Sequence, residues 1–231
     1  MVDDIKIQIL AYYDRCADDK HQRYRSWEHC FGYFQDRRAF DKDTAALNLA
    51  FYLASWGMYR GSSGLLQKDY KIHTCAVEKL LDPQYEALWD LDFDDASRDD
   101  ATADLIKSLS AALRATYPKQ FTKDDGTRKE FPKTDTLITK ILLGTVGCTP
   151  ALDSFFIKGF RSRIAGYSGF GPSFLREVFQ FCRTHKEVLL QIQREIYSKG
   201  HVSYPMMKLV DMYFWEIGRL VKDAENAAQP C

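Results

Sequence analysis

No two cysteines in this chain are spaced as CxxC, and none stands at zinc-ligand spacing from a histidine, although Cys16, Cys30, Cys75, Cys148, Cys182 and Cys231 are all present. A disulfide framework and a zinc site are therefore not expected, and the thiols read as reduced and mostly buried. Equally missing is an apolar run of membrane-spanning length, so no membrane partner is expected. The opening MVDDIKIQIL has acids where a secretory signal needs cations, which makes the cytoplasm the expected location. There is no P-loop, dinucleotide fingerprint, nucleophile elbow or HExxH helix. Those chemistries have no support in the sequence, and no cofactor or metal is expected. Net charge is absent too: 32 Lys and Arg balance 32 Asp and Glu, so an overall positive field does not mark a nucleic-acid binder.

What is present is helical periodicity across 231 residues. Ile5, Ile9, Leu10, Tyr13 and Cys16 recur at helical steps, and Tyr24, Trp27, Phe31 and Phe34 share a second face. Asp41 and Asp43 are suited to cap an apolar central helix over Thr44–Met58, whose Leu47–Leu53 run is expected to be buried. Further helices are expected from Leu65, and over Pro83–Trp89, Ser97–Tyr117, Thr134–Leu143, Pro150–Ile164, Ser173–Tyr197 and Tyr204–Lys222. Lys119–Pro132 reads as a loop turning at Asp124-Asp125-Gly126, and Gly166, Gly169 and Gly171 read as turn positions. The expected fold is all-α, a compact multi-helix domain of about eight or nine helices. It occupies 1–231 as one domain, or as two packed halves with a loop boundary near 119–132.

Charge is distributed unevenly along this neutral chain. Acids crowd Asp82–Asp104, where the Asp90–Asp95 run lacks the central Gly and final Glu of an EF-hand loop. Between Lys107 and Arg163 cations predominate, among them Lys129, Lys133 and Lys140, and such a segment suits phosphate contacts. Arg60-Gly61-Ser62-Ser63-Gly64 places a cation and the hydroxyls of Ser62 and Ser63 on unhindered backbone, the chemistry of an anion cradle. A Gly-containing turn, Gly144 to Gly147, is followed by Pro150 and Asp153. Backbone amides there are in position to face a phosphate.

Thr145-Val146-Gly147-Cys148-Thr149-Pro150-Ala151 resembles the turn of helix-hairpin-helix nucleic-acid modules. Thr145 stands where the first glycine of that motif belongs. A different alignment, of Thr139–Leu143 with Pro150–Ser154, resembles the Asp-bearing region of helix-hairpin-helix DNA glycosylases. That resemblance implies a catalytic carboxylate at Asp153 and a lyase lysine at Lys133. The two alignments exclude one another. The leading expectation is a helical module that binds a phosphate-bearing partner, nucleic acid before nucleotide, through Arg60, Ser62, Ser63, Lys129, Lys140, Gly144 and Gly147. A glycosylase-like enzyme and a non-enzymatic protein-interaction protein remain the alternatives, and the sequence names no protein partner.

Overall fold

The structure, a computed structural model, describes residues 2–36, 40–164, 167 and 169–228; Gly166 and Cys231 lie outside them. The fold is all-α. Ten α-helices run through the described residues: α1 (Val2–Ala17), α2 (Ser26–Gln35), α3 (Lys42–Ser55), α4 (Thr74–Leu80), α5 (Asp99–Thr116), α6 (Asp135–Gly144), α7 (Ser154–Arg163), α8 (Pro172–Thr184), α9 (Lys186–Gly200) and α10 (Met206–Ala227). They are joined by short 3-10 turns and one hairpin of β1 (Gln120–Thr122) and β2 (Arg128–Glu130).

The chain divides into two compact units, one of residues 1–22, 92–103 and 149–231, the other of residues 23–91 and 104–148. In the first, α10 packs on α1, α7, α8 and α9. Its centre is aromatic: Phe214 lies within 5.6 Å, ring to ring, of Phe156 and Phe160, and Phe160 lies 5.1 Å from Phe174. Edge and tilted ring contacts of this kind add to the area term of burial. Two glycines, Gly159 on α7 and Gly218 on α10, let the helix backbones touch. A Cβ on Gly159 would overlap the Phe214 carbonyl oxygen and fall 2.8 Å from the Gly218 nitrogen.

In the second unit α3 packs on α2, α4 and α6. Asp41 caps α3 by accepting from the Thr44 amide at 2.7 Å, which satisfies one of the open N–H groups of the first turn. Leu49, Ala50, Tyr52 and Leu53 are buried as the apolar run requires, but Leu47 and Phe51 are about half exposed. One helix face cannot bury seven consecutive residues. The second-unit part of α5 buries Ile106, Leu109, Ser110 and Leu113 along one stripe.

Several boundaries differ from the sequence expectation. No helix starts at Leu65; turns run on to a 3-10 segment, Tyr70–His73, before α4. Pro83–Leu88 is 3-10 rather than α. The expected Ser173–Tyr197 helix breaks at His185, whose φ of −113° and ψ of 18° separate α8 from α9. Pro150 does not open α7, which begins at Ser154. The Lys119–Pro132 segment is not all loop: its two short strands pair Gln120 with Glu130, Phe121 with Lys129 and Thr122 with Arg128. Its turn does fall at Asp124-Asp125-Gly126, where Gly126 takes φ of +79°. Glycine there closes a bulged hairpin turn without a Cβ penalty.

Candidate functional site

The turn that follows α3 is braced from within. Met58 N donates to the Leu53 carbonyl at 2.9 Å, Ser63 Oγ donates to the Met58 carbonyl at 2.5 Å, and the Arg60 amide donates to Ser63 Oγ at 3.4 Å. Ser63 is buried and committed to this brace, while Arg60, Gly61 and Ser62 are exposed. Ser63 therefore shapes the turn, and Arg60 and Ser62 are what it displays.

Gly64 fixes where the turn sits. A Cβ there would lie 2.5 Å from Phe131 Cδ2 and 3.0 Å from Phe121 Cδ1, so the backbone rests directly on the two aromatic side chains of the hairpin segment. Paired residues of an antiparallel hairpin share a face, and alternate residues return to it. Lys129, opposite Phe121 and two residues before Phe131, is accordingly on the side of the hairpin that holds the Arg60–Ser62 turn. Arg128, opposite Thr122, is on the other side.

Among the described residues, Arg60, Lys119, Lys123, Arg128 and Lys129 make no ion pair, and all but the half-buried Lys123 are exposed. The hairpin acids are Asp124, Asp125 and Glu130. Asp125 is held below its usual pKa first by hydrogen bonds from Thr127, with Lys123 and Lys129 adding to them. The anionic turn is thus partly occupied with its own amides, and the flanking cations remain open to solvent.

Beneath the turn lies a row of three hydrogen-bonded rings. Tyr59 Oη is 2.9 Å from His73 Nε2, and His73 Nδ1 is 2.7 Å from Tyr117 Oη. His73 is fully buried, and burial lowers its pKa to about 3, so the imidazole is neutral near pH 7. Burial, with the charge of Asp69, raises half-buried Tyr59 to about 12. Burial raises fully enclosed Tyr117 well above the usual phenol range. Tyr117 stacks on Phe131 at 5.5 Å and 13°, which links the row to the aromatic bed under Gly64.

The other residues singled out in the sequence are placed elsewhere. Lys140 is buried, and its ammonium donates to the Trp56 carbonyl at 2.9 Å and lies 5.5 Å from the Trp56 ring. Gly144 is buried against Tyr52, where a Cβ would come 3.0 Å from Cζ. Gly147 has φ of +74°, and its amide donates to the Leu142 carbonyl at 2.7 Å. The carbonyls of Leu143 and Thr145 accept from the Trp27 indole and the Gln35 amide, each at 3.0 Å. All of residues 141–150 are buried. This turn closes its own helix end, and it offers neither amide nor ammonium to a surface phosphate. Lys140, Gly144 and Gly147 are therefore corrected from ligand contacts to internal supports, as is Ser63.

Asp153 is the N-cap of α7, with Oδ1 accepting from the amides of Phe155 at 3.1 Å and Phe156 at 3.0 Å. Removing that acceptor by Asp153→Ala is expected to cost about 1 kcal/mol, read as a shift in the denaturation midpoint, while Asp153→Asn retains most of the cap. Lys133 is half-buried between β2 and α6, in the second unit, whereas Asp153 belongs to the first. The Lys133 carbonyl and the Asp135 carboxylate both accept from Arg114.

Of the residues gathered at this candidate site, sequence reasoning missed His73, Tyr59 as its partner, and Tyr117. A lone histidine in KIH carries no motif, and Tyr117 precedes Pro118 as an ordinary helix end. Among the described residues, no group of three or more His, Cys, Asp or Glu side chains is placed to hold a metal. No helix of the described residues is long and apolar enough to cross a membrane. Compared with known proteins, the chain matches no family model, no curated protein and no solved structure.

Proposed function

We propose that this chain is a helical binding module that takes a phosphate-bearing partner, nucleic acid, on the surface carried by the Arg60–Ser62 turn and the Lys129 face of the hairpin. The observation that carries the reading is the seat of Gly64 on Phe121 and Phe131, which sets the turn bearing Arg60 and Ser62 against the face of the hairpin that Lys129 belongs to. Arginine supplies a planar fork for phosphate oxygens, and lysine supplies a mobile point charge. Exposed cations that make no ion pair among the described residues can replace condensed counterions along a polyanion. The cytoplasm is the location this reading carries, where the thiols of Cys16, Cys30, Cys75, Cys148 and Cys182 stay reduced.

The test is charge reversal by Arg60→Glu together with Lys129→Glu, with association to labelled single-stranded and duplex oligonucleotides measured across a salt series. Affinity is expected to fall. The slope of log K against log salt is expected to become shallower by about 0.7–0.9 for each phosphate that the variant no longer neutralises. Arg128→Glu, on the opposite face of the same strand, is expected to change both less. An unchanged slope in the double variant would remove this face from the reading, and absence of association by the wild type at low salt would remove the reading itself.

A further inference from the structure

The three-ring row beneath the turn has only one arrangement of protons that leaves no buried donor idle. Tyr117 is 2% exposed, and among the described residues its hydroxyl makes no hydrogen bond other than the one to His73 Nδ1. If Nδ1 carried the imidazole proton, it would donate to Tyr117 Oη, and the Tyr117 O–H would be stranded in the core. A buried hydroxyl donor without an acceptor is unfavourable by its full desolvation cost. Tyr117 must therefore donate to Nδ1. A neutral imidazole carries one N–H, so the proton is on Nε2 and is donated to Tyr59 Oη. With its oxygen occupied as an acceptor from that side, the Tyr59 hydroxyl has its own proton directed away from His73. Half-buried Tyr59 is the residue immediately before Arg60.

We infer that Tyr59 is a further ligand-binding residue of this surface, a hydroxyl donor to a phosphate oxygen whose direction is fixed by the Tyr117–His73 pair. The inference rests on the proposed phosphate-binding role of the Arg60 turn and adds a neutral, oriented donor to its cations. Tyr59 keeps its proton across the physiological range, and the nearby charge of Asp69 favours that protonated form. The phenol therefore serves as a donor, and His73 and Tyr117 act through it as positioning residues. A chain of polarised hydrogen bonds also strengthens the outermost donor.

The experiment has two readouts. Long-range nitrogen–proton correlation spectra of histidine-labelled protein, with His73 assigned by His73→Asn, report which imidazole nitrogen carries the proton. A protonated Nε2 and bare Nδ1 are expected at neutral pH, and a protonated Nδ1 would overturn the inference whatever the binding data show. Affinity for a labelled oligodeoxynucleotide is then compared for Tyr59→Phe and Tyr117→Phe, each of which deletes one hydroxyl bonded to His73. Tyr59→Phe is expected to weaken binding roughly tenfold, and Tyr117→Phe, which keeps the Tyr59 hydroxyl but removes the bond that fixes its direction, less. Equal losses that follow thermal stability would assign the row a structural role only, and unchanged affinity for Tyr59→Phe would remove Tyr59 from the surface. A wild type that binds no oligonucleotide would defeat the phosphate-binding reading itself. That result is distinct from the tautomer result, which does not depend on ligand.

Discussion

Replacing Gly159 or Gly218 with valine is expected to prevent the first unit from folding at ordinary temperatures. The two residues face each other where α7 crosses α10. A Cβ on Gly218 would overlap the Phe155 carbonyl oxygen and lie 2.9 Å from the Gly159 nitrogen. The obstructing atoms at both positions are helix backbone, which cannot swing aside as a side chain can. Admitting even alanine requires the helices to separate, and separation opens the packing of Phe156, Phe160 and Phe214 around the crossing. We expect losses above about 4 kcal/mol for valine and somewhat less for alanine, read by denaturation followed through helical circular dichroism. Gly32, on an exposed face of α2, is the control because a Cβ there meets nothing. Gly32→Ala is expected to raise stability by about 0.5–1 kcal/mol through helix propensity alone. A Gly159→Ala protein that melts with the wild type would show that the helices do not cross at these residues.

Neither glycine stands out in the sequence, because each sits inside a helical run, SFFIKGFR or FWEIGRLV. Its meaning depends on a partner helix far away in the chain. The same distinction separates what was legible from what was not. Periodicity alone places Ile106, Leu109 and Leu113 on the buried side of α5, and Asp41 announces the start of α3. The break at His185 has no glycine or proline to mark it. The hairpin strands are three residues each, too short for β1 to show a sustained period-2 alternation, and β2 is wholly exposed and shows none.

At the candidate site, the chemistry of Arg60 and Ser62 was readable because a cation and a hydroxyl on glycine-rich backbone form a local pattern. The seat of their turn on the hairpin was not, since it rests on Gly64 meeting Phe121 and Phe131 across long sequence separations. Lys140 misled for a related reason. Lysine is rarely buried, so its place in a helical run reads as surface charge until the Trp56 carbonyl and ring are seen to enclose the ammonium.

A second buried lysine supports the other large effect. Lys208 and Asp211, one turn apart on α10, are each 2% exposed and pair at 3.0 Å. The same carboxylate accepts from the Ala151 amide at 3.0 Å through its other oxygen, and the ammonium lies 5.2 Å from the Tyr12 ring. Asp211→Ala removes an ionic partner and a backbone acceptor together. The ammonium and the Ala151 N–H are both left in the interior. Breaking a buried pair from one side is expected to cost about 3–5 kcal/mol, much more than the pair contributes over an apolar replacement, because the cost is that of the charge left behind. The double substitution Lys208→Met with Asp211→Ala removes both charges and leaves only the Ala151 N–H without its acceptor. It is therefore expected to recover most of the loss, and denaturant midpoints of the single and double variants measure the coupling directly. A loss under about 1 kcal/mol for Asp211→Ala would mean that water or the other interactions of Lys208 hold its charge, and a double variant no better than the single would place the cost in the Ala151 amide rather than in the ammonium.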